Sequence, residues 1–106
     1  MIKFYLYFHF GGLGVISVLS NIIPKDVHNM VQFFFDGKIK ESIDLQLNTL
    51  NLTAALFCEV NPMPVKEAVN LLGYNAGIPR LPLIKISDVG KEKLIKEMMA
   101  YGILKS

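Results

Sequence analysis

Apolar positions along this chain form one dense run followed by a series of spaced stripes. From Phe4 to Ile23 there is no Asp, Glu, Lys or Arg. Within that run Val15-Ile16-Ser17-Val18-Leu19, with glycines before it and Ser20-Asn21 after, reads as a short strand buried on both faces, the kind found in parallel sheets of α/β proteins. Beyond Pro24 the period changes to that of a helix. Val27, Met30, Val31, Phe34 and Phe35 share one face, Pro24 occupies the first turn and Gly37 supplies a left-handed stop. A second helix is predicted from Lys38 to Cys58, with Ile43, Leu47, Leu50, Ala54 and Phe57 on a buried stripe. A third starts at a capping Asn61, carries Pro62 and Pro64 in its first turn, buries Val65, Ala68, Val69 and Leu72, and ends at Gly73. Tyr74 to Ile86, with two prolines and a glycine, reads as an ordered loop. Ser87 or Asp88 then opens a last helix with Leu94, Ile95, Met98 and Tyr101 inward and Gly102 as its stop.

One strand and four helices make an unbalanced inventory. A lone parallel strand leaves its N–H and C=O groups without ladder partners, which is costly to bury. The pattern therefore reads as the tail of a larger α/β fold. Composition agrees: 52% of the 106 residues are hydrophobic and 19% charged, which excludes a disordered chain and leaves more apolar surface than a small domain needs to cover. The formal charge of +2 is spread along the sequence, so no basic stripe marks a nucleic-acid partner. The single cysteine, Cys58, forms no intramolecular disulfide, suits a reducing compartment and reads as a buried structural thiol. His28 falls opposite much of its helix stripe and reads as a rim residue, and no spacing of His, Cys or carboxylates marks a metal site. Residues 4–23 have the length of a membrane span, but Gly11, Gly12, Gly14, His9 and Ser17 interrupt it, and a buried element of a larger fold explains the run more simply. An anchor to a membrane or partner through residues 4–23 of a small helical binding protein is the competing reading. The glycine loop Gly11–Gly14 precedes its strand, so it reads as a turn and not as a phosphate cradle.

Three strings in order and spacing then carry a resemblance: Gly11-Gly12-Leu13-Gly14-Val15-Ile16-Ser17-Val18 with Asn21 and Pro24, Asn61-Pro62-Met63-Pro64-Val65-Lys66, and Arg80-Leu81-Pro82-Leu83. Together they resemble the C-terminal third of the dihydrodipicolinate synthase family, within the pyruvate-dependent class I aldolases. The resemblance implies a (β/α)8 TIM barrel, with residues 11–37 as its last β/α unit and 38–106 as the family's C-terminal helical region. It also implies a lyase that condenses pyruvate with aspartate semialdehyde through a lysine Schiff base, in lysine (diaminopimelate) biosynthesis. A cytoplasmic homo-oligomer, a tetramer in the family, with no cofactor, no metal and no membrane or nucleic-acid partner is expected. The Schiff-base lysine belongs to an earlier strand, and none of the ten lysines here matches it. By the resemblance two positions carry over as substrate-binding: Ile16, whose main chain lines the pyruvate site, and Asn61, as a second-substrate contact. No catalytic residue carries over, so the chain alone is expected to be inactive.

Residues 1–10 carry none of these motifs. One allowed encoding of Met1 to Phe10, read in a shifted frame, gives Asp-Gln-Ile-Leu-Pro-Leu-Phe-Ser-Phe, close to the family's pattern ahead of its glycine loop. The segment reads as out-of-frame translation, and the chain as the part of a reading frame downstream of a frameshift.

Overall fold

The computed structural model describes residues 8–105, and among these every regular element is helical. A 3-10 turn at Leu19–Asn21 leads into α1 (Pro24–Phe35), α2 (Ile39–Asn48), α3 (Leu50–Leu56), α4 (Met63–Leu71) and α5 (Asp88–Tyr101). Two compact units divide at Leu50 and Asn51. The division does not fall at Gly37, where the family pattern separates barrel from extension, because α2 packs against α1.

The expected strand does not form. Gly12 to Ser17 has no regular structure, and Leu13 and Ile16 stand 87% and 99% exposed. A ladder needs a second strand, and the described residues supply none. The chain becomes ordered one step later, where Leu19, Ile22 and Ile23 bury themselves beside α1. Val27 and Met30 of the predicted stripe complete that apolar center, whereas Val31 and Phe34 are half-buried and Phe35 is exposed. Phe8 is also buried, its ring 5.3 Å from Phe34 and 5.4 Å from Phe35. A residue of the segment without family motifs thus joins the packing of α1.

The helix predicted from Lys38 to Cys58 is broken at Thr49. Its hydroxyl donates to the Gln46 carbonyl at 2.7 Å, and its own N–H donates to the same carbonyl at 3.1 Å. This local closure competes with continuation of the helix. The predicted inward stripe is consequently misassigned. Leu47 is 56% exposed and Leu50 and Phe57 are also exposed, whereas Ser42, Gln46, Thr49, Leu52, Thr53, Ala55 and Leu56 are buried. Polar side chains occupy the inner face of α2 because they are satisfied there: Ser42 Oγ donates to the Met30 carbonyl of α1 at 2.8 Å.

In the second unit α4 and α5 pack together, with Val65, Ala68, Leu94 and Met98 buried. Lys91 of α5 pairs with Glu67 of α4 at 3.1 Å. Asn61 does not cap α4. That helix starts at Met63, with Pro62 at its N-cap position, and the Met63 N–H is satisfied by the Val60 carbonyl at 2.9 Å. Glycine stops at 37, 73 and 102 hold as predicted, all with positive φ. Each closes the same way, the next residue's N–H reaching back to a carbonyl five residues earlier: Lys38 to Phe33, Tyr74 to Val69 and Ile103 to Met98.

The start of α5 is built around one carboxylate. Ser87 caps the helix, its Oγ accepting from the Gly90 N–H at 3.1 Å. That hydroxyl in turn donates to Glu59 Oε2, while the Ser87 N–H donates to Glu59 Oε1 at 3.1 Å. The hydroxyl bond from Ser87, and then its backbone bond, hold the Glu59 carboxyl below the ordinary carboxylate range. A side chain at position 90 would collide with that carboxylate and crowd Ile86, so the glycine makes room for the clamp.

Three outcomes follow from this packing. Ser42→Ala lowers stability by about 1 kcal/mol, whereas Leu47→Ala, at an exposed position, stays within roughly 0.5 kcal/mol; urea titration separates the two. Gly90→Ala, which in an ordinary helix would stabilize, lowers the melting temperature here, and the loss shrinks or reverses in a Glu59→Ala background, as a double-mutant thermal series reads out. Because the folded Glu59 binds its proton less readily than the unfolded one, its stabilization is present above the ordinary value of 4.5 and is lost as the pH falls through the lowered one. Glu59→Gln therefore flattens the acid limb of a stability-versus-pH curve.

Candidate functional site

The two positions carried over from the family pattern lie in different units and on exposed chain. Ile16 sits in the unpaired stretch ahead of the 3-10 turn. Its neighborhood is fixed from one side only: Ser20 Oγ donates to the Ser17 carbonyl at 2.6 Å, the Ser20 N–H donates to Ser17 Oγ at 3.3 Å, and Asn21 Nδ2 donates to the Val18 carbonyl at 2.9 Å. Asn61 is exposed, in the turn between α3 and α4, and its peptide bond to Pro62 is cis.

The Asn61–Lys66 string has a structural task that its sequence does not announce. Lys66 and Asn70 are one helical turn apart on α4 and both reach the loop that follows. Lys66 Nζ approaches the Ala76 carbonyl at 3.4 Å. Asn70 takes both sides of the same loop, accepting from the Ala76 N–H at 2.7 Å and donating to the Gly77 carbonyl at 2.9 Å. This is a side-chain amide standing in for a strand neighbor. Asn70 escaped the sequence reading because an Asn late in a helix looks like a fraying polar residue. The signal that could have found it is the Gly-Tyr-Asn-Ala-Gly stretch a few residues on, whose backbone needs partners.

The chemistry available is limited. Among the described residues no lysine is fully buried, and no group of His, Cys or carboxylate side chains could hold a metal ion. A lysine that attacks a ketone at neutral pH needs an environment that favors its free amine, through desolvation or a neighboring cation. Lys91 is instead paired with Glu67, and Lys66 is turned to a carbonyl. Cys58 is only partly buried, a departure from the buried thiol expected, because it follows the end of α3 where the chain turns out. His28 is exposed, as expected. Glu59 is committed to Ser87. No helix among the described residues is long and apolar enough to cross a membrane. The 4–23 run is interrupted by the non-helical Gly12–Ser17, and its first four residues lie outside the described part.

Comparison with known proteins supplies what the site alone does not. Residues 4–101 match the Dihydrodipicolinate synthetase family, beginning inside the segment that the motifs leave unmatched. The 4-hydroxy-tetrahydrodipicolinate synthase of Caldicellulosiruptor bescii is 50% identical over 93 residues, 88% of this chain and 32% of that protein. The enzyme of the same name from Clostridium tetani is 47% identical over 95 residues, 90% of this chain and 32% of the relative. The crystal structure of dihydrodipicolinate synthase from Thermotoga maritima superposes with a TM-score of 0.93 at 36% identity, covering 97% of this chain and 35% of that one. The synthase from Cyanidioschyzon merolae, solved with lysine bound, gives 0.92 at 34% identity and the same coverage. The chain thus spans about a third of the length of the curated relatives it matches. With nearly all of its length matched in sequence and in fold, the chain belongs to the dihydrodipicolinate synthase family of TIM-barrel enzymes.

Proposed function

We propose that this chain is the C-terminal part of a 4-hydroxy-tetrahydrodipicolinate synthase, a lyase that condenses pyruvate with aspartate semialdehyde. The observation that carries the reading is the match to enzymes of that name, about half identical over nine-tenths of the chain. In the parent reaction a lysine amine adds to the pyruvate ketone and water leaves, giving a C=N bond; loss of a proton from the neighboring methyl carbon gives an enamine, and that carbon attacks the aldehyde of the second substrate. This chain provides no such lysine. Its contribution is to the walls of the site: the main chain at Ile16 faces pyruvate, and Asn61 meets the second substrate. The large exposure of both residues supports this reading, because a wall residue of a barrel site is left bare when the opposite wall belongs to another part of the fold. The parent works in the cytoplasm as a homo-oligomer, a tetramer, and uses neither metal nor cofactor.

The test is borohydride trapping, in which reduction of the C=N bond leaves a pyruvate-derived adduct that mass spectrometry detects. The purified chain with pyruvate and borohydride gives no adduct. A single polypeptide in which residues 11–106 replace the corresponding third of the Caldicellulosiruptor bescii enzyme gives one adduct per subunit and retains condensing activity. Stoichiometric trapping on the isolated chain, or a folded chimera that traps pyruvate without condensing it, sinks the proposal.

A further inference from the structure

The turn that presents Asn61 has little of its own to hold it. From Phe57 to Met63 no side chain is fully buried, and Val60 is 62% exposed. Apolar packing therefore does not fix its course. Its backbone hydrogen bonds are local, linking Phe57 and Cys58 back to α3 and Met63 to Val60. Among the described residues a single side chain bonds this turn to a segment distant in sequence. That side chain is Glu59, whose two carboxylate oxygens accept from the N–H and the hydroxyl of Ser87, 28 residues on. With its carboxyl held below the ordinary range, Glu59 carries its charge at neutral pH, and both bonds are charge-assisted.

Asn61 stands two residues beyond that carboxylate and spends nothing on the fold. Among the described residues neither its backbone nor its side-chain amide is hydrogen-bonded. The amides of Asn21 and Asn70, by contrast, are committed to backbone groups. An uncommitted amide offers a ligand two donors and an acceptor, but it orients that ligand only if its own backbone is held still. Asn61 is held through its neighbors. On one side the Pro62 carbonyl accepts from the Lys66 N–H at 3.0 Å as α4 begins. On the other Glu59 is fixed to the start of α5, in space that Gly90 leaves open.

We propose that Glu59 is a positioning residue: clamped on Ser87, it holds the turn so that the Asn61 amide meets the second substrate, aspartate semialdehyde. The inference rests on the synthase reading above and adds to it a residue that touches no substrate. Loss of the clamp weakens capture of the second substrate and spares the first step, because the C=N bond with pyruvate forms without it.

Two measurements test this. In the 106-residue chain, NMR relaxation gives the backbone order parameter of Asn61. It falls from about 0.85 to below about 0.6 in Glu59→Ala, while Ala68 in the middle of α4 keeps its value. In the chimera described above, Glu59→Ala raises KM for aspartate semialdehyde about fivefold or more, whereas KM for pyruvate and the yield of borohydride adduct stay within about twofold. Ser87→Ala moves the same KM in the same direction, and Ser87→Thr, which keeps the hydroxyl, restores it. In an Asn61→Ala background Glu59→Ala adds less than about twofold, because the residue it positions is gone. If Glu59→Ala loses its helical circular dichroism, Ser87→Ala, which removes one of the two bonds and leaves the other, carries the same test. An unchanged order parameter at Asn61 overturns the proposal, as does an equal rise in both KM values or a Glu59 effect undiminished in the Asn61→Ala background. The two readings part at the unsubstituted chimera. If it traps pyruvate without condensing it, the synthase reading falls and takes the substrate role of Glu59 with it. If it condenses and Glu59→Ala leaves the KM for aspartate semialdehyde within about twofold, the positioning role alone is defeated.

Discussion

An extended backbone needs a neighbor, whereas a helix satisfies its own N–H and C=O groups along its length. That difference governs which parts of this chain are ordered by their own residues. From Leu19 onward the elements are helices, and their loose ends are closed locally, by glycine turns after α1, α4 and α5 and by Ser87 ahead of α5. From Gly12 to Ile16 the chain has no regular structure, and among the described residues its backbone groups make no hydrogen bond. The same sequence therefore holds helices that close their own backbone and a short stretch, residues 12–16, that does not.

Within the helical part, polar side chains serve as fasteners between segments that apolar packing alone would leave free to slide. Ser42 ties α2 to a carbonyl of α1, and Lys66 and Asn70 tie α4 to the loop beyond it. Glu59 ties the end of one turn to the beginning of α5. Each contact is made to a backbone group or to a side chain that itself caps backbone, and all but the 3.4 Å approach of Lys66 to Ala76 are short. Apolar burial at Met30, Leu56, Leu94 and Met98 supplies the bulk of the cohesion, and the polar contacts decide the register.

What could be read from the residues follows the same division. The first, third and last helices were legible because a start signal (proline in the first and third, Ser87 in the last), a glycine stop and a helical stripe agree at each, and the stops at Gly37, Gly73 and Gly102 depend only on local backbone conformation. The break at Thr49 was not, since a hydroxyl folding back on Gln46 leaves no mark in the apolar pattern. Its consequence was larger than one residue: a stripe drawn through Leu47, Leu50 and Phe57 assumed a continuous helix and landed on the exposed side. The strand expected at Val15–Leu19 does not form: pairing is a property of two segments, no second strand exists among the described residues, and Leu19 instead opens a 3-10 turn. Asn61 looked like a cap because it stands before two prolines, but the helix begins one residue too late for its side chain to serve. Of the candidate site, the family motifs were visible, while the work of Asn70 was not, because an amide that serves a loop's backbone leaves no mark in the apolar pattern, nor was that of Gly90, which answers to Glu59, distant in sequence.

The loop that follows α4 is pinned twice, near its start where Asn70 holds Ala76 and Gly77 and at its end where Glu59 holds Ser87. Between the pins Ile78, Leu81 and Ile84 face outward, and only Pro79 and Ile86 are buried. Length is therefore unequally constrained along it. The five residues separating Asn70 from Ala76 form a closed ring through a side chain, and removing one would open it. Insertions between Leu83 and Lys85, beyond the turn that the Leu83 N–H closes on the Arg80 carbonyl, would only enlarge an outward bulge and leave both pins in place.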